Sequence, residues 1–220
     1  ETAGGVGPLW WRSPIPPGRG LGFSGAARVA GALLGCLHAG ASVDDARTEA
    51  LEIACRLEHH PDNASASMLG GVVAATDGVA VRIPMALDVS VVVWWPDSET
   101  STNRSRAALP DAVELADAVF NIGHTAVVVA ALAAGDREAL GRAMRDRLHQ
   151  QARLALSEPS RRAFDALTAA SPICVWLSGS GPTVAALTDP GEAEDVAAGL
   201  PPDGVARVLA IDSFGARILE

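Results

Sequence analysis

A glycine-rich stretch at 16–27 is the first part of the sequence with residue types suited to chemistry. It places three glycines at alternate positions, namely Gly18, Gly20 and Gly22. Glycine permits positive φ and lets another group approach the backbone closely. The apolar spacing after this stretch predicts a helix over 26–37, with Ser24 as its N-cap. A helix start reached through such a loop presents unpaired N–H groups, which favour an anion such as phosphate.

Three interpretations of this loop compete on the residues alone. The spacing Gly20-x-Gly22-x-x-Gly25 matches a dinucleotide-binding fingerprint, but that fingerprint follows a strand and here a proline-rich segment precedes it. The P-loop pattern fails because the chain contains no lysine. The third interpretation is a tight turn that leads into a core helix without binding any ligand.

Four further segments concentrate polar side chains, at 58–63, 101–106, 145–153 and 178–183. The first lies at a predicted helix end, where its side chains could serve only as caps, and His59 and His60 are adjacent and cannot share a helix face as metal ligands. Arg145 and His149 are expected on one face of a charged helix. The last segment could be a simple hairpin turn, although two Gly/Ser loops in one chain suggest phosphate binding.

Composition excludes several classes of protein. The chain has 220 residues, of which 49% are hydrophobic, enough for one large or two small domains. Its net charge of −9 argues against binding to nucleic acid or to an anionic membrane. No apolar run of about 18 residues indicates a membrane span. We recognise no signal peptide, and without an initiating Met we expect a fragment or a processed product.

Residue types absent or rare in the chain narrow the chemistry further. The three cysteines have no metal-binding spacing and form no disulfide framework, so we expect a reducing, cytoplasmic location. The absence of lysine excludes a Schiff-base lysine or a lysine phosphate ligand within this chain.

The predicted elements mix helices and strands without strict alternation, which indicates the α+β class. Strands are predicted at 72–76, 79–83, 89–95, 173–177, 184–187 and 205–212, and further helices at 44–59, 64–69, 111–134, 136–156, 160–170 and 190–199.

The two Gly/Ser loops together resemble motifs of the GHMP family of small-molecule kinases. Residues 17–26 read P-G-R-G-L-G-F-S-G-A, which is similar to the family's P-x-x-x-G-L-G-S-S-A. Residues 177–183 read L-S-G-S-G-P-T, which is similar to a second family motif near the C-terminal end. These two matches mark the superfamily.

Three other stretches resemble the homoserine kinases within that family. Residues 60–64, followed by 69–71, are similar to the H-P-D-N segment. Residues 101–110 are similar to the loop S-T-x-x-x-R-x-x-L-P, and 146–153 to the helix D-R-L-H-Q-P-x-R. All five matches keep the family's order over nearly the whole chain.

The resemblance implies an α+β, GHMP kinase-like two-part fold. A ribosomal protein S5 domain 2-like N-terminal part, incomplete and carrying the ATP-binding loop, would occupy 1–86, and a ferredoxin-like C-terminal part 87–220. It implies a kinase that uses ATP and Mg²⁺ to phosphorylate the side-chain hydroxyl of L-homoserine, a small amino acid, in threonine biosynthesis. Family members are often dimers, so a homodimer is one assembly to test.

The resemblance also implies roles for particular residues. Glu52, eleven residues before Asn63, falls at the position of the family's Mg²⁺ carboxylate, with Ser24 as a second metal ligand, although periodicity alone makes Glu52 a solvated surface residue. Asn63 would orient the substrate hydroxyl, since an amide cannot take its proton, which would pass to phosphate or water. The triphosphate would be bound by Pro17, Gly18, Arg19, Gly20, Leu21, Gly22, Phe23, Ser24, Gly25 and Ala26.

The substrate would be held mainly by arginine. Arg106 and Arg153 would bind its carboxylate, because the guanidinium fork matches carboxylate geometry, and Arg106 would share the catalytic role with Asn63 and Glu52. The remaining substrate-binding residues implied by the resemblance are His60, Asp62, Thr102, Gly181 and Thr183.

The sequence departs from the family pattern in four places. Phe23 replaces the first Ser of the usual Ser pair, His59 stands where glycine is usual, and Gln151 with Ala152 replaces Pro-Tyr. The N-terminal motif N-x-G-x-G-F-D is absent, so part of the substrate site is expected to be missing from this chain. Two alternatives follow: another GHMP kinase that acts on a small hydroxy-carboxylate, and a catalytically degenerate paralogue that binds a nucleotide.

Overall fold

The computed structural model describes residues 10–58, 61–97, 105 and 107–219. Helices and strands are mixed along the chain, which confirms the α+β class. The helices are α1 Phe23–His38, α2 Val43–Glu58, α3 Pro61–Leu69, α4 Leu115–Ala134, α5 Arg137–Ala143, α6 Gln150–Leu154, α7 Glu158–Ala169 and α8 Ala193–Ala198. The strands are β1 Val72–Thr76, β2 Val79–Ile83, β3 Ser90–Pro96, β4 Cys174–Leu177, β5 Val184–Thr188 and β6 Gly204–Leu209.

The described residues form two compact units. They divide as 10–17, 22–83 and 211–219 in the first unit, and 18–21 and 84–210 in the second. The main boundary lies between Ile83 and Pro84, close to the expected division after residue 86. The segment that begins at Ile211 belongs to the first unit. The expected division had assigned this segment to the C-terminal part.

The first unit packs α1, α2 and α3 around a core of small and branched side chains. Ala46, Ala50, Ile53 and Ala54 of α2 are buried, and the Ser42 hydroxyl accepts a hydrogen bond from the Asp45 N–H at 3.2 Å at the start of that helix. Pro61 occupies the first position of α3, where its missing N–H costs no helical hydrogen bond. The core consists of Val29, Ala32, Leu33, Cys36, Ala46, Ala50, Ile53, Ala54, Ala64 and Met68.

Strands β1 and β2 form an antiparallel hairpin with the predicted bounds. Its turn residues Asp77 and Gly78 both have positive φ, 40° and 80°, which is the requirement of a two-residue hairpin turn. The C-terminal segment packs beside this hairpin's start: the Gly71 N–H donates to Asp212 O at 2.7 Å, and the Ala216 N–H donates to Met68 O at 3.2 Å.

The second unit contains a four-stranded antiparallel sheet in the order β4-β5-β3-β6. This order and these directions are those of the ferredoxin-like fold expected for the C-terminal part. Val92 and Trp94 of the central strand β3 are fully buried, and the Trp94 indole donates to Pro201 O at 2.9 Å. Helices α7 and α8 supply Leu167 and Ala193 to the core beneath the sheet.

The helix predicted over 136–156 is wrong, because the chain breaks there into α5 and α6. Asp146 lies in the break, and its Oδ2 accepts hydrogen bonds from the N–H groups of Leu148, His149 and Gln150 at 3.1, 2.8 and 2.7 Å. A carboxylate that satisfies these free donors starts a new helix instead of continuing the old one. Arg145 therefore does not share a helix face with His149.

Helix α4 corrects the expectation that no segment resembles a membrane span. It is 20 residues long and, by length and composition alone, apolar enough to cross a membrane, with 11% of its most apolar window buried. Exposed apolar side chains include Leu115, Val119 and Ile122. A single helix of this kind is weak evidence, since helices of soluble proteins pass the same test.

Candidate functional site

Helix α1 starts one residue after Gly22, which corrects the prediction of Ser24 as its N-cap. Gly22 is the N-cap, with φ of 75° in the left-handed region, and no side chain caps the helix. That conformation explains why glycine stands there. Ser24 instead lies in the first helical turn and is exposed. The N–H groups of this turn and the positive end of the helix dipole form a potential anion site.

Asn63 of α3 packs directly against this helix start. A Cβ on Gly22 would come within 3.1 Å of Asn63 Oδ1, and a Cβ on Gly25 within 2.8 Å of Asn63 Cβ. The glycines therefore allow α3 to approach α1 at this level, and the exposed Asn63 amide lies beside the phosphate-loop motif. The Asn63 N–H donates to Asp62 Oδ1 at 2.8 Å, which fixes the exposed Asp62 carboxylate locally.

The Ser24 hydroxyl is paired with the carboxylate of Glu58, the last residue of α2. It donates to Glu58 Oε1, and Oε2 lies 3.2 Å away. Arg28 forms an ion pair with the same carboxylate, whose side chain is only 8% exposed. A hydroxyl and a carboxylate are hard oxygen donors that suit Mg²⁺. The described residues contain no group of three His, Cys, Asp or Glu that could hold a metal, so the fit is to an ion that keeps several waters.

The structure places Glu52 away from Ser24. Glu52 and Glu58 lie on the same helix, and their positions are about 120° apart around its axis. Glu52 is exposed and lines a groove with Arg47 and Cys55. The structure thus brings Glu58, and not Glu52, to Ser24. Sequence reasoning missed Glu58 because it counted eleven residues back from Asn63, although Glu58 begins the polar segment already noted at 58–63.

Phe23 packs against an aromatic side chain at the start of α1. Its ring centroid lies 5.7 Å from that of Trp11, with the rings tilted by 58°. The position where the family usually has a serine is therefore part of an aromatic contact. Of the usual Ser pair, only Ser24 supplies a hydroxyl here.

In the second unit, the loop 18–21 is held by the other Gly/Ser loop. The Thr183 hydroxyl donates to Arg19 O at 2.5 Å, and the Ser178 hydroxyl donates to Gly20 O at 2.8 Å. Thr183 is fully buried, so this predicted substrate-binding residue has a structural contact with the phosphate-loop motif. Arg19 also donates from Nη2 to Asp97 O at 2.7 Å.

These contacts orient the peptide groups of the loop. A trans peptide points its C=O and its N–H in opposite directions. Since the Arg19 and Gly20 carbonyls face the 178–183 loop, the N–H groups of Gly20 and Leu21 face away from it. Gly20 has φ of 75°, and a Cβ there would lie 2.5 Å from Ser178 O and 2.7 Å from Gly181 O. The packing therefore requires glycine at this position.

Arg153 of α6 is directed to the same Gly/Ser loop. Its Nη1 donates to Gly179 O at 3.1 Å, and its Nε lies 3.5 Å from Ser105 O. Ser105 in turn donates its hydroxyl to Ser180 O at 2.8 Å. Gly181, with φ of 75°, belongs to this loop as well. The structure thus associates Arg153, Gly181 and Thr183 within the second unit.

Three predicted site residues, His60, Thr102 and Arg106, lie outside the described residues. Of the remainder, the first unit contains Pro17, Gly22, Phe23, Ser24, Gly25, Ala26, Glu52, Asp62 and Asn63. The second contains Gly18, Arg19, Gly20, Leu21, Arg153, Gly181 and Thr183. The sequence analysis also missed Arg28, which pairs with Glu58. Its position four residues after Ser24, on the same side of the helix, was the sign in the sequence that it lies near Ser24.

Comparison with protein families gives two matches in chain order. The model described as GHMP kinases N terminal domain matches residues 5–71. The model described as GHMP kinases C terminal matches residues 128–204. The first covers the α1 start with α3, and the second covers Arg153 and the 178–183 loop.

Curated relatives carry the name homoserine kinase. The enzyme of Moorella thermoacetica is 45% identical over 183 residues, which cover 81% of this chain and 61% of the relative. An enzyme of Thermus thermophilus is 38% identical over 205 residues, which cover 90% of this chain and 70% of that enzyme. The chain thus spans about three-fifths of the length of the first relative and 70% of the second.

Solved structures agree in fold. Homoserine kinase from Cytophaga hutchinsonii superposes with a TM-score of 0.82 at 26% identity, over 92% of this chain and 69% of that one. Mevalonate kinase from L. major, in complex with R-mevalonate, gives a TM-score of 0.65 at 16% identity. The match covers 89% of this chain and 67% of that one. The second likeness concerns the fold alone.

Proposed function

Because the chain belongs to the GHMP kinase family, and within it to the homoserine kinases, we propose that it transfers the γ-phosphoryl group of ATP to the side-chain hydroxyl of L-homoserine. The product would be O-phospho-L-homoserine. The structural observation that best supports this proposal is the packing of Asn63 against Gly22 and Gly25 at the start of α1. It brings a group able to orient a hydroxyl to a helix start suited to phosphate.

Phosphate binding would rest on backbone N–H groups and not on a lysine. The first turn of α1 provides free N–H donors and the positive end of the helix dipole. In the second unit, the N–H groups of Gly20 and Leu21 face away from the 178–183 loop and are further candidate donors to phosphate. Phosphoryl transfer depends mainly on such positioning and on charge stabilisation.

Ser24 and Glu58 are the residues that would hold Mg²⁺. When bound, the ion neutralises charge on the phosphate oxygens. Arg28 would keep the Glu58 carboxylate oriented toward Ser24, since it pairs with the same group. Glu52 has no part in this proposal.

Asn63 would accept a hydrogen bond from the substrate hydroxyl through its amide oxygen. An amide has no basic site for the proton, so the role is orientation, and the proton would pass to phosphate or water. Proper alignment of two reacting groups is by itself a large part of the rate enhancement of such enzymes.

Arg153 would bind the substrate carboxylate. Its guanidinium carries N–H donors in a planar fork that matches the two oxygens of a carboxylate, and its contact with Gly179 O directs it to the Gly/Ser loop. From the sequence, Arg106, His60, Asp62 and Thr102 would complete the substrate contacts. Gly181 and Thr183 would contribute by fixing the loop beside Arg153.

The proposal also includes Mg-ATP as the nucleotide form, the cytoplasm as the compartment and a homodimer as the assembly. Size-exclusion chromatography with light scattering tests the last of these. A mass corresponding to one chain at micromolar concentration would remove the dimer from the proposal.

A coupled ADP-release assay tests the activity. The panel should contain L-homoserine, L-serine, 4-hydroxybutyrate and 2-amino-1,4-butanediol, which differ in chain length, amino group and carboxylate. We expect L-homoserine to have the highest kcat/KM, and loss of the carboxylate to lower it by about 100-fold because Arg153 loses its charged partner. Faster turnover of the substrate without a carboxylate would contradict the role of Arg153.

A second candidate is nucleotide binding without phosphoryl transfer, which the contact between Phe23 and Trp11 favours. In that case ATP would bind but no homoserine-dependent ADP would form. The substitution Phe23→Ser, which restores the usual Ser pair, distinguishes the two candidates. Activity in the Phe23→Ser variant alone would identify the natural chain as a degenerate paralogue.

A further inference from the structure

Three polar side chains form a connected row from the break between α5 and α6 to the Gly/Ser loop. Asp146 Oδ1 lies 3.6 Å from His149 Nε2. His149 Nδ1 lies 3.3 Å from Arg153 Nη1, and Arg153 Nη1 donates to Gly179 O at 3.1 Å. The row therefore links the start of α6 to the guanidinium assigned to the substrate.

The direction of the contact between His149 and Arg153 fixes the tautomer of the imidazole. A guanidinium can only donate hydrogen bonds. Nδ1 must therefore be the acceptor, and the single proton of the neutral ring must sit on Nε2, which faces Asp146 Oδ1. Only the neutral ring can make this contact, because a doubly protonated imidazole has no acceptor nitrogen.

Asp146 is itself held in place from α4. Asn121 donates its amide hydrogen to Asp146 Oδ1 at 2.7 Å, and its amide oxygen accepts the Arg147 N–H at 3.0 Å. Burial works against ionisation of Asp146, but hydrogen bonds from the N–H groups of Gln150 and His149 and from Asn121 outweigh it, so the pKa of Asp146 is below its usual value. The carboxylate at the foot of the row is thus ionised and fixed.

We propose that His149 is a positioning residue that holds Arg153 in its substrate-binding orientation while the imidazole is neutral, and that protonation of His149 weakens binding of the substrate carboxylate. The inference rests on the proposed function, because it takes Arg153 as the group that binds that carboxylate. His149 does not touch the reacting atoms and acts through Arg153. Protonation would remove the acceptor at Nδ1 and place a second positive charge beside the guanidinium.

The charged groups around His149 come from the break and from α6. Asp146 and Arg153 flank the ring, and Arg145 lines the same cavity together with the uncharged side chains of Asn121 and Trp176. Burial lowers the pKa of His149 below its usual 6.5, with Asp146 opposing and Arg153 adding to that effect. The ring is therefore neutral near pH 7 and becomes charged as the pH falls below that usual value.

The test is the KM for homoserine at saturating Mg-ATP, measured from about pH 8 to about pH 5 with the whole chain. Two substitutions separate hydrogen bonding from titration. His149→Asn retains an acceptor near the Nδ1 position but does not titrate in this range, and His149→Leu removes the acceptor. His38→Asn, at the exposed C-terminal end of α1, is the matched control.

We expect KM of the unaltered protein to rise about tenfold toward the acid end, with a much smaller change in kcat, because the contact serves substrate binding. His149→Asn should show a KM near that of the unaltered protein at pH 8 and no acid rise. His149→Leu should show a raised KM over the whole range, and His38→Asn should follow the unaltered protein. An acid rise that persists in His149→Asn, or an unchanged KM in His149→Leu, would overturn the proposal.

A measurement without turnover separates this inference from the proposed function. Nitrogen-15 NMR of the histidine rings should show His149 with an unprotonated Nδ1, and the Arg153 Nε–H signal should shift with the titration of His149. A tautomer protonated at Nδ1 would overturn the inference even if the enzyme is active. Absence of any homoserine-dependent ADP, together with the expected NMR result, would remove the proposed function and leave the coupling between His149 and Arg153 established.

Discussion

The hydroxyl of Ser24, in the first turn of α1, donates a hydrogen bond to the carboxylate of Glu58, at the end of α2. The two residues are 34 positions apart in the sequence, and neither is a predicted partner of the other. Their contact brings a hard anionic oxygen to the phosphate-loop motif. It also explains why a nearly buried carboxylate is tolerated there, since Ser24 and Arg28 both satisfy it.

Substituting each of the two α2 carboxylates in turn tests which one serves the metal. Glu58→Gln should raise the Mg²⁺ concentration needed for half-maximal activity, or lower kcat, by about 10- to 100-fold, because it removes a charged oxygen ligand. Glu52→Gln, at an exposed position on the same helix, should stay within twofold of the unaltered protein. Titration of activity with Mg²⁺ at fixed ATP measures both. A larger effect at Glu52 would restore the assignment made from sequence spacing.

Replacing Gly20 by alanine tests the packing of the phosphate-loop motif, and replacing Gly31, within α1, is a comparison in which stability should change in the opposite direction. Gly20→Ala forces a Cβ to within 2.5 Å of Ser178 O at a positive φ, so the free energy of unfolding should fall by about 1–3 kcal/mol and the affinity for ATP should fall with it. Gly31→Ala, where the added Cβ meets only open space within α1, should raise the free energy of unfolding by about 0.5–1 kcal/mol. Urea denaturation and ATP binding by calorimetry report both quantities.

Arg153→Lys tests the need for a planar fork at the substrate carboxylate. Lysine keeps the charge but loses the paired donors, so the KM for homoserine should rise about 10- to 100-fold while the KM for ATP changes little. Arg142→Lys is the control, since Arg142 is exposed and, among the described residues, forms its ion pair with Glu138 of its own helix. Equal losses of ATP and homoserine affinity in Arg153→Lys would show that the residue supports the fold and not the substrate.

The carboxylate of Asp146 should make stability depend on acid pH. Its pKa in the folded chain lies below the usual 3.8, so its stabilising contribution is fully present above that usual value and is lost as the pH falls through the folded-state pKa. Asp146→Asn should lower Tm at pH 7, by an amount that reflects about 1 kcal/mol of lost capping, and the difference from the unaltered protein should shrink by about pH 3. Thermal melts at the two pH values check this.

The exposed Asp165→Asn supplies the comparison for that experiment. It should leave Tm unchanged at both pH values, because the side chain lies on the solvent side of α7. A Tm difference for Asp146→Asn that stays constant from neutral to acid pH would mean that the cap contributes through shape and not through charge.

The sequence patterns predicted those elements that are determined by residues close together in the chain. The hairpin β1–β2 has the predicted bounds because Asp77 and Gly78 determine the turn and the flanking residues favour strands. The cap of α2 at Ser42 likewise depends on a residue three positions away. Strand β3 and the Gly/Ser turn at 178–183 were also recovered, with bounds shifted by a residue.

Contacts between distant residues account for the predictions that were wrong. Ser24 was expected to cap α1, but Gly22 takes that position and Ser24 turns to Glu58 from another helix. The break between α5 and α6 depends on Asp146, which is held by Asn121 from α4. Neither partner can be identified from spacing along the chain. The same limit applies to Glu58, which is hydrogen-bonded to Ser24 although the spacing along the chain pointed to Glu52.

The return of residues 211–219 to the first unit has a consequence for synthesis. The Asp212 carbonyl and the Ala216 N–H bind residues next to the end of α3, and Gly215 lies so close to Gly70 that a side-chain carbon on either would overlap the other's backbone. A ribosome makes these residues only after it has made the whole second unit. The first unit can therefore acquire these contacts only after the second unit has been synthesised.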